Sequence, residues 1–294
     1  MARLSIVLPT FRAGGLDVIK YSLLDQSFKD FELVLVDELY DSRKDMVRQY
    51  FKGINLRHIP PFRVNNYFSS ATARNTGISC AEGELIVFTN DYTWLSSDCL
   101  QRHWNAYNTL KGKYAVTGIR KNMDGFKITN PNMLYAFGSE IQNKPDGRVI
   151  FVDDRVAFRG QRLLEYYEIN PLVVYADNSS IPLEVALKLN GFDTHFDGGA
   201  GFLDIDFFTR ATFLGYKALM DPDNITYEIK ANYASKAGNF KTPKENEEYF
   251  NQSINAIRRG AKVVEADNPY SLRNLRRIFG DAERQRTANR LPVF

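Results

Sequence analysis

Two acidic stretches of this sequence stand where chemistry could be done. The first is Asn90-Asp91, which follows Thr89 and the unbroken apolar run Leu85-Ile86-Val87-Phe88. A strand buried on both faces of a parallel sheet reads this way as it surfaces at its carboxyl end, and open α/β sheets bind their ligands at that end. One aspartate together with ligand phosphate oxygens suffices for Mg2+ or Mn2+, hard ions that take oxygen donors and keep several waters. Such an ion would act as a Lewis acid on a departing diphosphate. The competing reading is a carboxylate that merely caps the next turn.

The second stretch is Gly198-Gly199-Ala200-Gly201-Phe202-Leu203-Asp204-Ile205-Asp206. Its glycines let the backbone approach a ligand closely, and they open a helix with Asp204 and Asp206 in its first turn. The helix dipole alone would account for acids there. Residues two apart face different sides of a helix, so the two acids are expected to have different jobs. One would face a cleft as a general base, and the other would hold structure with Arg210, four residues after Asp206. Smaller signals accompany these. Pro9-Thr10-Phe11 and Asp37-Glu38 each follow an apolar run, and an acid beside an aromatic can hold a nucleobase. Arg74 precedes the Asn90-Asp91 strand and could reach a diphosphate. His58, His103 and His195 show no metal-ligand spacing and read as structural. Gly14-Gly15 lacks the G-x-G-x-x-G pattern, and no P-loop occurs, so nicotinamide, flavin and P-loop chemistry have no support.

The elements that must position these groups alternate. Strands are expected at 4–8 (stopped by Pro9), 31–36, 56–59 and within 85–91, with helices at 16–26, 43–51 and 69–81. That is the βαβ pattern of a parallel sheet. Beyond residue 100 the pattern loosens. Helices are expected at 98–111, 155–168, 183–189 and 202–214, strands at 114–118, 149–152 and 171–175, and an irregular insertion at 121–146.

Composition bounds the rest. The chain has 294 residues, 44% hydrophobic and 25% charged, enough for one large α/β domain or two fused halves. A net charge of +3 imposes no global field on the choice of partner. Cys80 and Cys99 make no disulfide framework. No signal peptide or membrane-spanning run is visible. The expected setting is the cytoplasm, with a peripheral place at a membrane as its variant. The segment Arg273–Arg290 is rich in arginine; a solvated helix explains it, and an anionic membrane surface, a nucleic acid or an acidic partner would use it.

Taken together, the motifs resemble the inverting glycosyltransferases of family 2. The resemblance rests on Leu4–Phe11, Leu24–Glu38, Ala73-Arg74-Asn75-Thr76-Gly77, Ala81–Glu84, Phe88–Asp91, Gly191-Phe192-Asp193 and Asp204–Arg210. It implies a GT-A fold: a Rossmann-like, mostly parallel sheet flanked by helices, with a mixed acceptor-side half and a helical C-terminal extension. The transferase domain would span 1–230 (donor half 1–100, acceptor half 101–230), and 231–294 would be the basic extension. It also implies a nucleoside-diphosphate sugar donor, a UDP-sugar first among them. The acceptor hydroxyl could belong to a glycan, lipid, protein or modified nucleic acid. Thr10, Phe11 and Glu38 would seat the base, Arg74 the diphosphate, Asn90 the ribose, and Asp91 a Mn2+ or Mg2+ ion. Asp204 would be the catalytic base. The sequence departs from the family at three places. Its run of acids is Asn90-Asp91-Tyr92, Leu203 stands where an acid commonly precedes the base, and no histidine follows His195. A catalytically weak or inactive sugar-nucleotide binder of the same fold is therefore the alternative reading. A nucleotidyltransferase lacks its glycine- and lysine-rich loop here.

Overall fold

A computed structural model describes residues 2–62, 67, 69–124, 133–137, 139–152, 160–229, 241–263 and 272–278. In the first third, β1 (Leu4–Thr10), β2 (Phe31–Asp37), β3 (Leu56–Ile59) and β4 (Leu85–Thr89) alternate with α1 (Leu16–Leu24), α2 (Tyr40–Tyr50) and α3 (Ser70–Cys80). The four strands lie parallel in the order β3-β2-β1-β4. All of β2 and β4 is buried, which is why both read as continuous apolar runs rather than alternating ones. β1 does not stop at Pro9 as expected from sequence. It continues to Thr10, with Pro9 opposite Val36 of β2. Pairing with β4 has already ended at Val7 and Phe88, so the proline sits where the strand has an edge.

Past β4 come β5 (Thr93–Leu95), α4 (Cys99–Thr109), β6 (Tyr114–Asp124), β7 (Arg148–Val152), β8 (Arg162–Leu163), β9 (Tyr166–Glu168), β10 (Asn178–Pro182), α5 (Leu183–Lys188), α6 (Leu203–Phe213), β11 (Lys217–Ile229) and α7 (Pro243–Arg258). β10 runs antiparallel between β4 and β6, and β11 lies parallel to β6. The sheet is therefore parallel in its first part and mixed in its second, as expected. Several local expectations fail. Of the helix expected over 155–168, residues 155–159 lie outside the described residues, and the rest forms the β8–β9 hairpin. The strand expected at 171–175 is a short 3-10 turn at Pro171–Val173, capped by the Asn170 side chain. The expected insertion at 121–146 begins later, because β6 runs on to Asp124 and pairs there with β7. Residues 133–137 and 139–142 of that insertion fold back onto α1, where the buried Asp17 carboxylate accepts the backbone N–H groups of Ala136 and Ile141 at 3.0 and 2.9 Å.

β10 escaped the sequence reading because it is a polar strand in a buried place. Its polar side chains find partners far away in the chain: Asn178 Oδ1 and Ser180 Oγ meet the two ring nitrogens of His103 at 3.0 and 2.9 Å, and Asn178 Nδ2 donates to the Asn224 carbonyl at 3.1 Å. His103 is fully buried, and that burial lowers its pKa to about 4. The unfolded chain therefore takes up a proton between the ordinary histidine value and about 4 while the folded chain resists it. Stability contributed here is complete above pH 6.5 and is lost as pH falls toward 4. The stability difference between the wild type and His103→Gln, measured by urea denaturation, should shrink by about 3 kcal/mol between pH 7.5 and pH 4. A pH-independent difference would show that His103 charges freely in the folded state.

The described C-terminal residues include two helical stretches, α7 and residues 272–278. Leu272 and Leu275 are fully buried, and the Arg273 backbone N–H donates to Asn190 Oδ1 at 2.8 Å. This piece is packed on the core. The stretch 281–294, with Arg284, Arg286 and Arg290, lies outside the described residues. No described helix is long and apolar enough to cross a membrane.

Candidate active site

The ends of β1, β2 and β4 lie side by side because the strands are parallel neighbours. Thr10, Phe11 and Arg12 leave β1, Glu38 follows β2, and Asn90 and Asp91 follow β4. Ser69, Ser70 and Arg74 come from the start of α3, Tyr175 precedes β10, and Gly199–Ile205 close the other side. All of them line one cleft of about 550 Å³, an ordinary size for a small-molecule site. The residues singled out from sequence, Thr10, Phe11, Glu38, Arg74, Asn90, Asp91 and Asp204, are thus brought together.

Asp37 is not among them. Its carboxylate is fully buried and takes two bonds from Arg43, both at 2.7 Å, one from His58 Nε2 at 2.9 Å and one from the Leu39 N–H at 2.8 Å. Burial alone would raise its pKa; the bonds from His58 and Arg43 outweigh that and hold it below the ordinary value. Of the two acids after β2, only Glu38 faces the cleft.

Asp204 opens α6. Gly201 and Phe202 both take left-handed backbone conformations there, with φ of 86° and 63°, and that turn sets the helix start. Asp204 Oδ1 is buried and has no hydrogen-bond partner among the described residues. Its nearest cation is Arg74, with Nη2 at 3.9 Å, an ion pair beyond hydrogen-bond reach. Asp206 behaves as the second acid was expected to. It is fully buried, and Arg210 Nε bonds it at 2.7 Å while the same guanidinium reaches the carbonyls of Leu189 and Gly191. The glycine loop before Asp204 is braced by residues near and within α7: the Lys241 N–H donates to the Gly198 carbonyl at 2.9 Å, and Asn246 Nδ2 reaches the carbonyls of Ala200 and Gly201. From the other side the buried Asp197 carboxylate caps α3 through the N–H groups of Ala71 and Thr72 at 2.8 and 3.1 Å. Burial raises the Asp197 pKa to about 6.

Asp91 is nearly buried and already engaged. Thr10 Oγ1 donates to Oδ2 at 2.8 Å, Arg12 Nε donates to the same oxygen at 2.9 Å, and Arg12 Nη2 pairs with Oδ1. The following residue offers no ligand, since the Tyr92 hydroxyl donates to the Ala13 carbonyl at 2.9 Å. Among the described residues no group of three or more His, Cys, Asp or Glu side chains is placed to hold a metal ion without a ligand's oxygens. One carboxylate that is bonded through both oxygens to a guanidinium does not fit a preformed Mn2+ or Mg2+ site. Arg12 and Tyr175 went unnoticed in the sequence. The signal for Arg12 was its place two residues past β1, whose pairing with β4 brings the two strand ends side by side.

The family model for glycosyl transferase family 2 matches residues 5–168. The chain belongs to that family. A poly(ribitol-phosphate) β-glucosyltransferase of Bacillus spizizenii is 31% identical over an alignment 144 positions long, which covers 45% of this chain and 22% of that protein. The chain therefore matches less than a quarter of that relative's length. Among solved structures, S. aureus TarS 1–349 in complex with UDP-GlcNAc superposes with a TM-score of 0.60 at 16% identity, covering 87% of this chain and 66% of that one. The mannosyltransferase PcManGT of Pyrobaculum calidifontis, in complex with GDP-Man and Mn2+, gives 0.55 at 16% identity over 93% and 68%. These two establish the GT-A fold, whose large central sheet is the one described above.

Proposed function

We propose that this family 2 chain transfers a sugar from a nucleoside diphosphate to an acceptor hydroxyl with inversion, and that Asp204 is its base. The observation that carries the reading is the Asp204 carboxylate: it lines the same cleft as Arg12, Arg74 and the ends of β1, β2 and β4, and its Oδ1 has no hydrogen bond among the described residues. A carboxylate oxygen left without a donor is costly, and an acceptor hydroxyl would supply one. In this reading Thr10, Phe11 and Glu38 hold the base, a uracil first among candidates, Asn90 contacts the ribose and Arg74 the diphosphate. The acceptor oxygen attacks the anomeric carbon as Asp204 takes its proton. The bond from that carbon to the diphosphate oxygen breaks, and the electron pair leaves with the nucleoside diphosphate. Holding donor and acceptor in line supplies much of the remaining acceleration. The expected Mn2+ or Mg2+ enters only as an ion that would have to displace Arg12 from Asp91 and share one protein carboxylate with the diphosphate.

A thermal-shift panel of UDP- and GDP-sugars tests the donor half, because a ligand that binds the native state raises its melting temperature. UDP-hexoses should raise it, and slow release of UDP should follow on incubation. No shift with any nucleotide would refute the reading. Binding without release or transfer on any acceptor would leave the sugar-nucleotide binder, which Asn90 and Leu203 favour.

A further inference from the structure

We propose that Arg12 takes the place of a divalent metal in this chain, so that the donor diphosphate is held by a guanidinium and binds without metal. The inference rests on the transferase reading above, and it comes from how Asp91 is used. A metal site needs its carboxylate free to face an ion. Here Arg12 bonds that carboxylate through Nε and Nη2, with Thr10 adding a third bond. A second cation beside a guanidinium would be repelled, and among the described residues no group of three or more His, Cys, Asp or Glu side chains is placed to hold it.

The surroundings are built to keep Arg12 there. Its guanidinium lies 4.9 Å from the Tyr92 ring centroid and 5.7 Å from that of Phe11, within the range of a cation–π contact. Its backbone carbonyl accepts Arg43 Nη1 at 3.1 Å. Tyr92 itself holds a left-handed backbone, with φ of 60°, and its hydroxyl ties down the next residue of the turn, Ala13. The ring fills the space over Gly15 so closely that a Cβ there would lie 2.4 Å from it. The residue after Asp91 is thus spent on positioning the turn that carries Arg12, and it does not offer a second oxygen to an ion. Arginine suits this role because its planar fork carries five donors and matches carboxylate and phosphate oxygens equally well. Asp91 then serves as the counter-ion that orients Arg12 at the mouth of the diphosphate site.

The two roles for Asp91 predict different outcomes. If Asp91 holds a metal, Asp91→Asn abolishes donor binding. If it orients Arg12, the amide oxygen of Asp91→Asn still accepts from the guanidinium, so binding in EDTA falls less than in Arg12→Ala and stays insensitive to Mn2+. Calorimetry with UDP and with GDP, in EDTA and in Mn2+, decides between them. The wild type should bind one of the two in EDTA, with Mn2+ changing the affinity less than threefold. Arg12→Ala should weaken it by about 10- to 100-fold, the worth of a charge-assisted bond, and Arg12→Lys should recover part of that loss. The double variant Arg12→Ala/Asp91→Asn guards against misfolding and against a bare Asp91 that repels the nucleotide. It should bind as weakly as Arg12→Ala. Binding in the wild type only with Mn2+, loss of binding in Asp91→Asn, or full affinity in the double variant would each overturn the proposal. Failure of both nucleotides to bind under every condition would remove the transferase reading itself, and the role of Arg12 with it.

Discussion

Asp204→Asn is expected to lower turnover by about 10²- to 10⁴-fold, the usual worth of a positioned general base, while leaving nucleotide affinity within about threefold of the wild type. The amide keeps the shape of the carboxylate but cannot accept the acceptor's proton. The fold should tolerate the change, because Asp204 Oδ1 has no hydrogen bond to lose among the described residues and Arg74 stands off at 3.9 Å. Asp206 cannot substitute for it: that carboxylate is sealed in the core and held by Arg210. The measurement needs two readouts, a single-turnover transfer or donor-hydrolysis rate and a calorimetric affinity for the nucleotide. A rate within threefold of the wild type would remove Asp204 from the mechanism. A parallel loss of rate and affinity would make it a donor-binding residue.

What the sequence reveals of this site follows from which contacts are local. β2 and β4 are legible because both of their faces are buried, so the apolar run and the acid at its end are written in consecutive residues. The glycine loop and the different surroundings of Asp204 and Asp206 are legible because helical spacing turns the two acids to different sides within one turn. β10 is not, since Asn178 and Ser180 look like loop residues until His103 and Asn224 arrive from elsewhere in the chain. The length of β11 is hidden in the same way by Asp221-Pro222-Asp223-Asn224, where its register against β6 shifts between Met220 and Ile225. The largest omission is Arg12. Its type and position are plain, but its meaning depends on the side-by-side pairing of β1 and β4, which brings together residues 79 apart in the chain. Asp37 shows the converse. Its place at a strand end suggests ligand contact, yet Arg43 and His58 engage it inside the fold, and Glu38 is left to face the cleft.

Arg43→Met is expected to cost about 3–5 kcal/mol of stability, the penalty for leaving one member of a buried ion pair without its partner. Arg43 and Asp37 are both fully buried at the side chain and joined by two bonds. Removing the guanidinium leaves Asp37 with His58 and one backbone N–H. The loss should be largest near neutral pH and shrink in acid, because the lowered Asp37 pKa gives stability that is present above the ordinary carboxylate value and is lost as pH falls through the folded one. The pair also does something that an apolar replacement cannot. Arg43 Nη1 bonds the carbonyls of Arg12 and Met133 at 3.1 and 3.0 Å, so one guanidinium ties the end of β2 to the turn that carries Arg12. Exchanging both partners, as in Asp37→Leu/Arg43→Met, should recover most of the stability, since well-packed apolar pairs often match buried ionic ones. It should not recover nucleotide affinity, because the Arg12 turn stays untethered. Urea denaturation and calorimetry on the two variants separate these effects. If affinity returns together with stability, the pair serves the core alone, and Arg12 is positioned by Asp91 and Tyr92 without help from beneath.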